Sequence, residues 1–178
     1  MIEVRFHGRG GQGAVTSAEL LAAAAFSAGK EAQAFPFFGV ERRGAPIQAF
    51  CRIDGKKIRL HQNVYEPDYV VVLDDSLFSS VNVFEGLKDS GTVVIASKKP
   101  ASEFKAPKPT QKVFVVDAYE IARGILGKPI VNTAMLGAFA KITGLVPIDK
   151  VKEAVAERFS GALAEKNAQA VQKCYDSA

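Results

Sequence analysis

Ile2, Val4 and Phe6 alternate with Glu3, Arg5 and His7, which is the period of a strand with one buried face. The alternation stops at Gly8-Arg9-Gly10-Gly11-Gln12-Gly13, and the Ala- and Leu-rich stretch Ala14 to Ala28 that follows reads as a helix ending near Gly29. Glu31 to Phe35 alternates again and predicts a second strand parallel to the first. Pro36 to Pro46 reads as a loop, and Ile47 to Ile53 as a strand. Asp54-Gly55 is a hairpin turn signal, so Lys57 to Leu60 is expected to return as a short antiparallel strand.

Further along, Tyr69 to Leu73 and Thr92 to Ile95 are continuous β-branched or aromatic runs, the mark of buried strands, and Val113 to Val116 reads as a further strand. Asp74-Asp75-Ser76 suits an N-cap of a following helix. Ser97 to Thr110 is a Lys- and Pro-rich excursion. From Ala118 the pattern turns helical: Ile130 to Thr143 is compact and apolar, Pro147 suits a helix start, and Ile148, Val151, Val155 and Phe159 keep helical spacing, as do Leu163, Ala170 and Cys174. Strands alternating with helices predict a single α/β domain: a three-layer α/β/α sandwich, Rossmann-like, with a mostly parallel, mixed sheet that includes a β-hairpin, and a helical C-terminus.

Composition narrows the function classes. A net charge of +4 with scattered lysines gives no clustered basic face, so a nucleic-acid partner is not expected. No apolar run reaches the ~20 residues of a membrane span, and Glu3 and Arg5 interrupt the only apolar stretch at the start, so no membrane and no secretory leader are expected and the compartment is read as cytoplasmic. Cys51 and Cys174 are too few for an iron–sulfur cluster, which takes about four thiolates, and read as buried free thiols. His7 and His61 stand in strand-like contexts without a carboxylate pair, which argues against a metal site or a hydrolytic triad. No catalytic residue is assigned.

Strand, glycine turn and helix together place backbone N–H groups and a helix N-terminus against a phosphate. Gly8, Gly10 and Gly13 satisfy the dinucleotide pattern, which keeps a stand-alone NAD(P)-binding oxidoreductase in view. That chemistry also wants an acid at the end of the second strand, where Phe35 and Pro36 stand instead. Gln12 both donates and accepts hydrogen bonds, so it can tie down a neighbouring loop or a ligand amide. The glycines also serve simply to permit a tight turn. The second constellation, Phe35 to Pro46, places three phenylalanines beside Glu41-Arg42-Arg43-Gly44. Arginine forks bind phosphate or carboxylate bidentately, and exposed apolar surface rimmed by charge meets a partner. Both segments are expected at one sheet edge.

Five stretches, taken in order, resemble the gamma subunits of 2-oxoacid:ferredoxin oxidoreductases, and within them those of pyruvate:ferredoxin oxidoreductase (pyruvate synthase): Gly8-x-Gly10-Gly11-Gln12-Gly13, Ala34-Phe35-Pro36, Glu41 to Pro46, Tyr65-Glu66-Pro67-Asp68, and Asn132 to Gly137. The resemblance implies a multisubunit enzyme that converts pyruvate, coenzyme A and oxidised ferredoxin to acetyl-CoA, carbon dioxide and reduced ferredoxin. It implies alpha, beta and delta partner subunits, with thiamine diphosphate, magnesium and iron–sulfur clusters held by those partners. A relative specific for another 2-oxoacid, such as 2-oxoisovalerate, fits the same pattern. On this resemblance Gly8, Arg9, Gly10, Gly11, Gln12, Gly13, Arg42 and Arg43 are the candidates for contact with coenzyme A.

Overall fold

The computed structural model describes residues 1–37 and 43–178 of the chain. Its strands are β1 (Ile2–Arg9), β2 (Glu31–Phe37), β3 (Pro46–Asp54), β4 (Tyr69–Val72), β5 (Thr92–Ala96) and β6 (Lys112–Val116). They form one sheet in the order β2-β3-β1-β4-β5-β6. β1, β4, β5 and β6 are parallel, while β3 lies antiparallel between β1 and β2. The mixed sheet and its hairpin are therefore as expected, but the hairpin is a different one. β3 pairs with β2, Glu31 opposite Asp54 and Phe37 opposite Gln48, and with β1 on its other side. Both edges of β3 are thus filled, and Lys57 to Leu60 forms no strand. β2 also runs on through Pro36 to Phe37 rather than ending at Phe35, and it is parallel to β1 without touching it. Proline is tolerated there because β2 is an edge strand.

The helices α1 (Ala14–Ser27), α2 (Ala118–Leu126), α3 (Ala134–Thr143), α4 (Ile148–Arg158) and α5 (Gly161–Ser177) share one core with Val4, Phe6, Cys51, Val71 and Val94 of the sheet. On the opposite face Val70, Val72, Val93 and Ile95 pack against Leu77, Val83, Leu87 and Phe104. These come from loops and from a 3-10 turn over Asp75–Ser79, so the third layer is built of turns rather than long helices. Asp74 caps that turn as expected, accepting from the Ser76 N–H, but the segment tightens to 3-10 instead of continuing as an α-helix. The helix read over Ile130 to Thr143 begins only at Ala134. Thr133 just before it donates its hydroxyl to Asn167 Oδ1 of α5, 2.6 Å away and buried.

The face away from the long helices carries buried charge. Arg52 is fully buried and donates to Glu3 Oε1 at 2.8 Å, to the carbonyl of Gln62 at 2.6 Å and to that of Asn63 at 3.2 Å. Its guanidinium also lies 5.0 Å from the Phe35 ring centre. The segment after β3 is thus held as a strap by one cation, not by a β-ladder. Arg5 does the same for another loop, donating to the carbonyls of Val83 and Glu85 at 3.1 and 2.5 Å. His7, next along that face, is buried, and among the described residues its Nε2 has no partner. Burial first, and the Arg5 charge second, push its pKa down from 6.5 to about 3.

Two outcomes follow for stability. Gly137 lies where α3 crosses α5, and a Cβ there would overlap the Val171 carbonyl. Gly137→Ala, which in an exposed helix stabilises by about 1 kcal/mol, is expected to destabilise by roughly 1–3 kcal/mol in urea unfolding. His7 stays neutral when folded and takes up a proton when unfolded, so stability falls as pH drops from 6.5 towards 3. Unfolding free energy is expected to decline through that window by at most about 1.4 kcal/mol per pH unit for this group. The decline should be shallower in His7→Gln.

Candidate functional site at the carboxyl rim of the sheet

The chain leaves β1 through α1 towards β2 on one side, while β4 and β5 extend the sheet on the other. The strand order therefore reverses between β1 and β4. In open α/β sheets the crevice outside the carboxyl ends of the strands at such a reversal is where ligands bind. The glycine turn sits at the end of β1, and Asp74 follows β4 across the crevice.

Three glycines of the turn each have their own reason. Gly8 is buried, and a Cβ on it would come within 3.2 Å of the Ala14 Cβ and 3.4 Å of Leu73 Cδ1, so its absence lets α1 start close against the sheet. Gly11 and Gly13 have φ of 93° and 83°, the left-handed region. A Cβ on Gly13 would also meet the Asn132 side chain, 2.9 Å from Cγ. Asn132 thus lies directly on the residue that begins α1, whose first turn carries no acidic side chain. The positive end of the α1 dipole is left without a protein carboxylate on its own first turn.

The turn and the far end of the β2–β3 connection meet. The Gly10 N–H donates to the Ala45 carbonyl at 2.9 Å, and the Gly44 N–H donates to the Gly10 carbonyl at 3.1 Å. Arg9 Nη1 adds a bond to the Gly44 carbonyl at 3.1 Å. Gly8, Arg9, Gly10, Gly11, Gln12 and Gly13 therefore share one rim with Gly44, and Arg43 is exposed beside it. Arg42 lies outside the described residues, as do Phe38 and Glu41. Of the aromatic residues in the second constellation, Phe35 packs against Phe50 with ring centres 5.3 Å apart. Phe37, 42% exposed, reaches Phe50 edge-on.

Gln12 ties down a neighbouring loop, one of the two roles its chemistry allows. Its Oε1 accepts from the Arg9 N–H at 2.7 Å and its Nε2 donates to Asp74 Oδ2 at 2.8 Å. Arg9 donates through Nε and Nη2 to Ser76 Oγ at 3.1 and 2.7 Å and lies 3.4 Å from the Asp74 carboxylate. Partial burial raises the Asp74 pKa, but hydrogen bonds from Ser76 and Gln12 and the Arg9 charge outweigh it and hold the carboxyl below its usual value. The sequence pattern marked Asp74 and Ser76 only as a cap; that they face the glycine turn depends on β4 lying beside β1. On the helical side of the turn, Asn132 borders a cleft of about 340 Å³ walled by Leu126, Ile130, Phe159 and Leu163, with Lys128 and Arg158 at its edge.

Other chemistry is sparse. Cys51 and Cys174 are buried free thiols, each with its pKa pushed up by burial. Among the described residues no group of three or more His, Cys, Asp or Glu stands close enough to hold a metal ion, and no helix is long and apolar enough to cross a membrane.

The chain is similar to known proteins over nearly its whole length. The common gamma subunit of the pyruvate/ketoisovalerate oxidoreductases of Pyrococcus furiosus is 59% identical over 99% of this chain and 96% of its own length. Pyruvate synthase subunit PorC of Methanocaldococcus jannaschii is 58% identical over 99% of this chain and 96% of its own. The crystal structure of pyruvate oxidoreductase subunit PORC from Thermotoga maritima superposes with a TM-score of 0.87 at 36% identity, covering 99% of this chain and 96% of that one. Residues 3–177 match the pyruvate ferredoxin/flavodoxin oxidoreductase family, and the chain belongs to that family.

Proposed function

We propose that this chain is the gamma subunit of a multisubunit pyruvate:ferredoxin oxidoreductase, and that its rim of glycine turn and Arg42–Arg43 segment helps to hold coenzyme A. The observation that carries the reading is the reciprocal main-chain pairing of Gly10 with Gly44 and Ala45. It joins, at the mouth of the strand-order reversal, the phosphate-type turn and the Gly44–Ala45 end of the segment whose sequence carries the two arginines. Coenzyme A carries a pyrophosphate and a 3′-phosphate. The α1 N-terminus and the arginine pair supply donors and positive charge for these, each charge-assisted hydrogen bond contributing about 1.5–3 kcal/mol. Phe37, exposed on β2, offers apolar surface to the pantetheine arm.

In this reading the chain moves no proton. It orients the coenzyme so that its thiol meets an acyl group held by partner subunits, a contribution of proximity. Alpha, beta and delta subunits would hold thiamine diphosphate, magnesium and the iron–sulfur clusters and pass electrons to ferredoxin, all within the cytoplasm. The Pyrococcus relative is a subunit common to pyruvate and ketoisovalerate oxidoreductases, which favours one gamma chain serving more than one 2-oxoacid enzyme. Asp74 weighs against a stand-alone NAD(P) enzyme, because this acid facing the turn is already bonded to Gln12 and Ser76.

Replacing Arg42 and Arg43 together with Ala in the assembled complex is expected to raise KM for coenzyme A about tenfold or more, with KM for pyruvate little changed. Unchanged constants in an intact complex would remove these arginines from the site. Native mass spectrometry is expected to find the chain with cluster-bearing partners. Saturable NADH fluorescence with the isolated chain would instead favour the dinucleotide enzyme.

A further inference from the structure

A turn made of Gly8, Gly10, Gly11 and Gly13 has few side chains with which to define its own shape. Glycine also loses more backbone freedom on ordering than any other residue. Only Arg9 and Gln12 can brace it from within, and both side chains converge on one group, the Asp74 carboxylate at the end of β4. Both oxygens of that carboxylate are in use. Oδ1 accepts from the Ser76 N–H at 3.0 Å and from the Ser76 hydroxyl at 2.6 Å. Oδ2 accepts from Gln12 Nε2 at 2.8 Å. The Ser76 oxygen in turn accepts from Arg9. The carboxylate also settles which way round the Gln12 amide sits. With Nε2 on Asp74, Oε1 is left to accept from the Arg9 N–H. The flipped amide would set oxygen against carboxylate and N–H against N–H.

We propose that Asp74 is the positioning residue of this rim: through Gln12 and Arg9 it holds the glycine turn in the shape that receives the coenzyme, and so sets the affinity for coenzyme A without touching it. This rests on reading the rim as a coenzyme A site. It also separates two physical effects of opposite sign. A carboxylate beside an anion site repels phosphate, so if charge alone mattered, removing it would tighten binding. If Asp74 acts by positioning, removing it loosens binding even though the site becomes more positive.

Asp74→Asn keeps the volume but leaves one acceptor oxygen where two are needed, so it must give up either the Ser76 cap or the Gln12 clamp. In the complete oxidoreductase complex, with initial rates measured against coenzyme A and against pyruvate separately, Asp74→Asn is expected to raise KM for coenzyme A about tenfold, the scale of one charge-assisted hydrogen bond. kcat and KM for pyruvate should stay within about twofold. If Asp74 acts through Gln12, the effect should shrink in a Gln12→Ala background, giving a non-additive cycle. Ser76→Ala keeps the carboxylate and its main-chain bond while removing the hydroxyl that links it to Arg9. It carries the same expectation at about threefold, and it decides the matter should Asp74→Asn fail to assemble.

An unchanged or lowered KM for coenzyme A, or full additivity with Gln12→Ala, overturns the proposal. The Arg42→Ala, Arg43→Ala complex measured alongside distinguishes the failures. If it raises KM while the Asp74 variant does not, only the positioning role falls. If neither does, the coenzyme reading of the rim falls with it.

Discussion

Gly10 exchanges main-chain hydrogen bonds with Gly44 and Ala45, and that exchange is possible only because β3 runs antiparallel beside β1. The ladder from Ile2 opposite Ile53 to Arg9 opposite Pro46 brings the start of β3 to the end of β1. The hairpin partner β2 then ends at the same rim. Were β3 parallel, its first residues would lie at the opposite end of the sheet from the glycine turn. Strand direction, more than any side chain, makes one surface from two segments more than thirty residues apart.

The same hairpin shapes the rear face. β3 has neighbours on both edges, so the segment just after Asp54 cannot pair with it and packs across the face instead. Buried arginines solve the problem this creates. Carbonyls of an irregular segment need donors once they leave water, and Arg52 provides for the strap after β3 as Arg5 does for the loop before Gly86. Arg52 is balanced by Glu3, its direct partner across the ladder. Among the described residues Arg5 has no such ion-pair partner, and burial pulls its pKa down from 12.5 to about 10 despite the opposing pull of Glu85. The cations placed between β1 and the loops thus act as the cross-links of a layer that lacks long helices.

At the rim, opposite charges are organised rather than cancelled. Arg9 is spoken for by Ser76, Asp74 and the Gly44 carbonyl, which casts it as a brace of the turn. Arg43 stays exposed at the edge. A site for an anionic ligand needs both kinds of cation: some to keep a glycine-rich backbone in shape, others to meet the charge.

The strands with strong β-branched runs, the glycine turn, the α1 helix and the C-terminal helices were legible in the sequence, because periodicity and chain punctuation report local preference. The five family-like stretches were legible too, and so was the approach of the Gly44–Ala45 end of the β2–β3 connection to the turn. The identity of the hairpin was not: Asp54-Gly55 is a sound turn signal, yet pairing is decided by which edges of β3 are already occupied. The length of β2 was missed for a related reason, since Pro36 breaks an interior strand but not an edge strand. Nor could the sequence show that Asp74, read as a cap, also clamps Gln12 and Arg9 some sixty residues earlier. The sequence by itself determined the local elements and the chemistry available at the turn. Only the tertiary structure decided which strand lies beside which, because strand pairing and burial are long-range outcomes that no local pattern encodes.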